Sequence, residues 1–354
     1  MRRGGVSSVS TPSPNAGLLV DDIAPPDHRS SDRLAAALAS TPRGVSFGRL
    51  ATIAAQVAGW QARTVPEAFH KPRVVVFAGD HGISERGISA YAPQASVEQA
   101  DEIASGAGPV HTMARTAGAS VRLVDVSLDH EAWGEERVSR STPPIDVADA
   151  MDQDQFARSL AIGRRIADHE IDAGADLLIP GELGVGSTAV AAAVVGTLTA
   201  TEPVAIVGPG SGVPDEIWKR KVSVIRDAMF RARGLRRDLS GLLTAISAPD
   251  FVAMTAFIAH AAARRTPVLL DGAAVTAAAL VANRLAPGAA DWFAAGQLSP
   301  KPAHVIALQE LGLTPLVALD MSTGQATGSL AALPLIQAAI ELASDEAQAA
   351  GVDN

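Results

Sequence analysis

At 354 residues, 47% of them hydrophobic, the chain is long enough to bury one large core or two modest ones without covalent staples. It has no cysteine, which excludes thiol nucleophiles, disulfides and thiolate-held metals. The formal net charge of −9 argues against a nucleic-acid binder, no apolar run approaches the roughly 20 residues that span a bilayer, and MRRGGVSSVSTPSPNAG lacks the apolar stretch of a secretory signal, so a cytoplasmic protein is expected.

Residues 1–32 are rich in Ser, Pro and Gly without periodicity and read as a disordered or loose arm. Helical patterning follows, with Leu50, Ile53, Ala54, Val57 and Trp60 on one face. At Arg73 the pattern changes to RVVVFAGDHG, a β-branched run ending in a glycine turn. VRLVDVSL (121–128), DLLIPGELG (176–184), PVAIVGPGSG (203–212) and TPVLLDGAAV (266–275) repeat that signature, with alanine-rich helical segments between most of them. The alternation predicts an α/β fold, a doubly wound, mostly parallel, Rossmann-like sheet. The last helical run, LAALPLIQAAIELASDEAQAA, turns polar and is expected to fray.

In such a sheet ligands bind beyond the carboxyl ends of the strands, which here carry Asp80, Glu182, the glycines Gly208, Gly210 and Gly212, and Asp271. GELGVGSTA (181–189) opens a helix after a strand, and its N–H groups and the Ser187 and Thr188 hydroxyls suit an anion. It matches neither a Walker A loop nor G-x-G-x-x-G, so a nucleotide-dependent dehydrogenase is not indicated. Lys221, early in the next helix, can reach back toward a phosphate. Tyr91, the only tyrosine, and Gln99 are candidates for contacting a planar ligand. Asp80, His81 and Glu85 lack metal-ligand spacing, so neither metal nor cofactor is expected. Ser299 and His304 are candidate pocket groups, although no serine-histidine-acid triad follows from their spacing.

Several motifs in one order give the chain a specific resemblance: RGVSFGRL, VVVFAGDHGISERGISAY, GADLLIPGELGVGSTAVAAA, the glycine turn with Lys221, RRTPVLLDGAAVTAAALVANRLAPGA, LSPKPAH, and TGQATGS leading into LAALPL. From about residue 42 to 343 it resembles the nicotinate-nucleotide:dimethylbenzimidazole phosphoribosyltransferase (CobT) family. The resemblance implies transfer of ribose 5-phosphate from nicotinate mononucleotide to 5,6-dimethylbenzimidazole or a related aromatic base, without metal, for the lower ligand of cobalamin. It also implies a homodimer. Each chain would have a large domain over residues 73–330 and a small helical domain built from residues 33–72 and 331–354. Carried over by position, Glu182 is an acidic residue implicated in catalysis, while Gly184, Gly186, Ser187, Gly208, Lys221 and Ser299 hold the nucleotide, to which the glycine turn adds Gly210. Tyr91, Gln99 and Thr323 surround the acceptor base, with Asp80 at the neighbouring strand end.

The sequence departs from that pattern where the family's general base stands. The motif G-E-G-T-G reads Gly324-Gln325-Ala326-Thr327-Gly328, and an amide cannot take a proton at neutral pH. Ser299-Pro300-Lys301-Pro302-Ala303-His304 carries a lysine for an acid, Arg140-Ser141-Thr142-Pro143-Pro144 replaces R-G-T-x-N, and Ser247-Ala248-Pro249 replaces paired glycines. These changes are expected to cluster around the ligand. Two readings follow: an active phosphoribosyltransferase, weakened or altered in its acceptor, and an impaired binding subunit that pairs with an active paralogue or senses a ligand.

Overall fold

A computed structural model describes residues 23–208 and 214–352. Five parallel strands form one sheet: β1 (Pro72–Gly79), β2 (Ser120–Ser127), β3 (Leu177–Leu183), β4 (Val268–Leu270) and β5 (Phe293–Ala295), in the order β2-β1-β3-β4-β5. The chain steps outward from β1 to β2, then returns across β1 to lay down β3 and continue the other way. This reversal opens a crevice between the carboxyl ends of β1 and β3, the place where doubly wound sheets bind ligands. The register pairs Phe77 with Glu182 and Ala78 with Leu183, so β1 and β3 end side by side.

β1 reads as an unbroken apolar run because both of its faces are covered, and Val74 through Ala78 have no exposed surface. Phe77 meets Phe257 edge-to-face, with ring centroids 5.3 Å apart. Phe257 lies on the helix Pro249–Ala263, which is apolar almost all round and correspondingly buried.

Two expected elements come out differently. Among its described residues PVAIVGPGSG supplies no strand: Pro203 at the first helical position starts a single turn, Pro203–Ile206, and residues 209–213 lie outside the described residues. The fifth strand comes from Phe293–Ala295, too short to stand out within WFAAGQ.

The loose arm expected over residues 1–32 also needs correcting. Residues 1–22 lie outside the described residues, but Ile23 is buried and the Ala24 carbonyl accepts from Trp292 Nε1 at 2.9 Å. Asp27 caps the helix His28–Ala39, accepting from the N–H groups of Arg29 and Ser30. That helix, Arg49–Gln61 and the end of Thr327–Ala349 share a second apolar cluster containing Leu34, Leu38, Ala54, Ala58, Ala343 and Ala347.

The helix Thr327–Ala349 is long and apolar enough by composition to cross a bilayer, contrary to the expectation from sequence, and 56% of its most apolar window is buried within the fold. Its end is tied down rather than frayed. Buried Glu346 accepts from the Thr41 hydroxyl at 2.6 Å and pairs with Arg43 at 3.3 Å.

Candidate active site

At the crevice between β1 and β3 lies a concave cavity open to solvent. One wall is the end of β3 and the turn into the helix Ser187–Thr199: Glu182, Leu183, Gly184, Val185, Gly186, Ser187 and Thr188. The loop after β1 and the helix Ala95–Ala104 supply Ile88, Ser89, Tyr91, Ser96 and Gln99 opposite. Lys221, Lys301, Ser322 and Thr323 complete it, so the lining is assembled from distant parts of the sequence.

The β3 turn folds tightly because two of its positions have no side chain. A Cβ on Gly184 would stand 2.0 Å from the Gly79 carbonyl oxygen, so only glycine lets the turn close against the end of β1. A Cβ on Gly181 would stand 2.8 Å from the Ala326 nitrogen, and this gap admits the TGQATGS segment. That segment docks by backbone, the Gln325 N–H donating to the Glu182 carbonyl at 3.1 Å. Gly324, Gln325 and Ala326 all take positive φ, of 73°, 58° and 66°. Two successive non-glycine residues in the left-handed region are strained, a feature common at ligand-binding rims.

Glu182 is the only carboxylate on the cavity wall among the described residues. Burial pushes its carboxyl up to about 7, a Ser187 hydrogen bond opposes that, Asp250 and Asp271 add to the rise, and Lys301 counters it. Burial and the charge of Lys301 bring Lys221 down to about 8. Lys221 Nζ donates to the Thr188 hydroxyl at 3.3 Å. Behind the main cavity, a small recess is lined by Thr188, Gly208, Lys221, Lys301, Pro302 and Ala303 among others.

Of the remaining sequence-derived residues, Gly184, Gly186, Ser187, Lys221, Gln99 and Thr323 line the cavity, and Tyr91 stands at its mouth, 62% exposed. Gly208 lines the recess, and Gly210 lies outside the described residues. Asp80 and Ser299 are not on the wall. Asp80 is buried behind it and accepts from the Asp129 N–H at 2.8 Å, because the chain turns at Asp80 out of the strand and into the loop. Ser299 is buried against His304, its hydroxyl 2.8 Å from Nδ1, while its N–H donates to that nitrogen at 3.1 Å.

Gln325 is placed differently from an acceptor-facing base. It is 2% exposed, and its Nε2 donates to Gln99 Oε1 at 2.9 Å, so Gln99 stands on the wall and Gln325 behind it. Nor do all the departures gather at the ligand: residues 140–144 and 247–249 are off the wall, and Lys301 alone of those loops lines it. Sequence reading missed Ser96, whose hydroxyl accepts from the Val185 N–H at 2.9 Å and braces the β3 turn. Nothing in its local pattern marks it.

A phosphoribosyltransferase family model matches residues 23–352. A nicotinate-nucleotide–dimethylbenzimidazole phosphoribosyltransferase of Corynebacterium glutamicum is 55% identical over 310 residues, covering 87% of each chain. The chain belongs to this family. A Mycobacterium ulcerans relative of the same name is 48% identical over 310 residues, 86% of each chain. The crystal structure of the phosphoribosyltransferase of that name from Thermus thermophilus superposes with a TM-score of 0.84 at 30% identity, covering 93% of this chain and 99% of that one. A second structure, of CobT from the same organism, gives 0.84 at 31% identity, covering 92% and 99%. The chain is therefore a phosphoribosyltransferase, a transferase of the glycosyl class, and the cavity at the strand ends is its candidate active site.

Proposed function

We propose that the chain transfers ribose 5-phosphate from nicotinate mononucleotide to 5,6-dimethylbenzimidazole or a close analogue, with Glu182 as general base. The observation that carries this reading is the wall itself: one carboxylate near neutrality, two ammonium groups and a glycine-lined helix start share one cavity. The names of the relatives supply the substrate pair.

The bond from C1′ to the pyridinium nitrogen breaks, and its electron pair returns to nicotinate, neutralising the ring. One acceptor nitrogen forms the new bond to C1′. The other nitrogen of the acceptor ring loses its proton to Glu182, which leaves the product neutral at the base. A carboxyl near 7 is ionised in enough molecules to accept that proton at neutral pH and basic enough to hold it. Gln325 cannot do so and braces Gln99 instead. Gly184, Gly186, Ser187 and Lys221 would hold the nucleotide, and Gln99, Thr323 and Tyr91 the acceptor. A cytoplasmic homodimer accompanies this reading, and sedimentation of the purified chain tests the pairing.

The decisive experiment follows nicotinate release with and without the acceptor. Glu182→Gln should lower kcat by about 10²–10⁴-fold, the usual worth of a general base, while nicotinate mononucleotide still binds. Turnover close to wild type in that variant would remove Glu182 from the role.

A further inference from the structure

Two half-buried ammonium groups share one part of the cavity wall, and neither makes an ion pair with a described residue. Lys221 has the Thr188 hydroxyl as its hydrogen-bond partner and pairs with no carboxylate among the described residues. Lys301 makes no hydrogen bond through its side chain and no ion pair with any described residue. It feels the charge of Glu182, which opposes the lowering by burial, without forming an ion pair with it. Both lysines line the main cavity and the recess behind it, where Thr188 and Pro302 stand in the first turns of the helices Ser187–Thr199 and Pro302–Leu311.

Like charges brought together out of water are costly unless an anion lies between them. Here the positive ends of two helices face the same recess, which adds to the field instead of relieving it. A phosphate monoester, carrying nearly two negative charges at pH 7, balances two ammonium groups. A carboxylate would balance one.

We propose that Lys301 is the second cation of a two-lysine clamp that holds the 5′-phosphate of the donor nucleotide where both lysines line the main cavity. The clamp rests on the functional reading above only for the identity of the donor. Lys301 is a binding residue here, not the partner of Glu182. It occupies a position where the family pattern has an acid, so this chain would grip its donor phosphate with one positive charge more than that pattern provides.

The test is calorimetric binding of nicotinate mononucleotide, nicotinate riboside and inorganic phosphate to the full chain and to Lys301→Met and Lys301→Arg. Lys301→Met should weaken the mononucleotide about tenfold to a hundredfold, as expected for loss of a charge-assisted hydrogen bond. It should leave the riboside unchanged, and Lys301→Arg should keep most of the affinity. Equal losses toward mononucleotide and riboside, or equal losses in both variants, overturn the clamp. Unchanged mononucleotide affinity with a displaced pH–rate profile also overturns it, assigning Lys301 to Glu182 instead. A wild-type chain that binds inorganic phosphate through Lys301 but ignores the mononucleotide upholds the clamp and refutes the donor.

Discussion

Glu182, half-buried on the cavity wall, and the buried Asp250 and Asp271 have carboxyls pushed up to about 7, 7 and 6, in each case first by removal from water. Two consequences have opposite signs. Catalysis needs Glu182 ionised, so kcat/KM should climb as pH rises through about 7 and level off above it. Stability runs the other way. A carboxyl whose folded pKa lies above its unfolded value stabilises fully below the unfolded value and loses that contribution as pH rises through the folded one. Asp250→Asn keeps the neutral form at every pH, so its melting temperature relative to wild type should increase between pH 4 and 8. The same variant removes one of the charges that raise Glu182, so the acid limb of kcat/KM should move to lower pH. A limb that stays in place would break the coupling between the two groups. Glu182 was legible in the sequence because a carboxylate at a strand end inside a glycine turn has few structural uses. The inward turn of Gln325 was not, since positive φ at Gln325 and Ala326 falls on residue types that do not announce it.

Among the elements, β1, β2, β3 and β4 were readable because their apolar runs end in turn residues. β5 has three residues and owes its existence to pairing with β4. The Pro203–Ile206 turn shows the limit of such reading, since a short apolar run has no periodicity of its own to separate strand from helix. The docking of TGQATGS on β3 makes a sharper prediction. Gly181→Ala would drive a methyl group into the Ala326 backbone, which has no rotamer with which to yield. The cost should be about 1–3 kcal/mol, measured by denaturant unfolding, with a larger loss of activity than of stability because Thr323 and the Glu182 carbonyl contact move with the rim. In the same segment, adding Gln325→Glu to the Glu182→Gln variant should restore no turnover, because position 325 is behind Gln99. Recovery would show that a base can act from there.

At the scale of the whole molecule, the two ends of the described chain are joined through Glu346, which reaches Thr41 and Arg43 across some 300 residues of sequence. Glu346→Ala should cost about 1.5–3 kcal/mol, the net worth of a hydrogen bond from the half-buried Thr41 hydroxyl to a charged acceptor. Hydrogen exchange should locate the loosening in the helices His28–Ala39 and Thr327–Ala349 before it reaches the sheet. A uniform loss of protection would mean that these helices and the sheet unfold as one unit.

The candidate site itself draws on Tyr91, Glu182, Lys221, Lys301 and Thr323, so its last walls are made long after β1, β2 and β3. A chain still on the ribosome can pair β1, β2 and β3 long before Lys301 and Thr323 emerge. Such an intermediate has the crevice without Lys301 and Thr323 and so retains a nucleotide less tightly. The ligand then discriminates between finished and unfinished molecules: it stabilises the former more, by RT ln(1 + [L]/Kd) with the smaller Kd. In a cell rich in the donor, completed chains would be protected from proteolysis as soon as they close, while truncated ones would remain open to it.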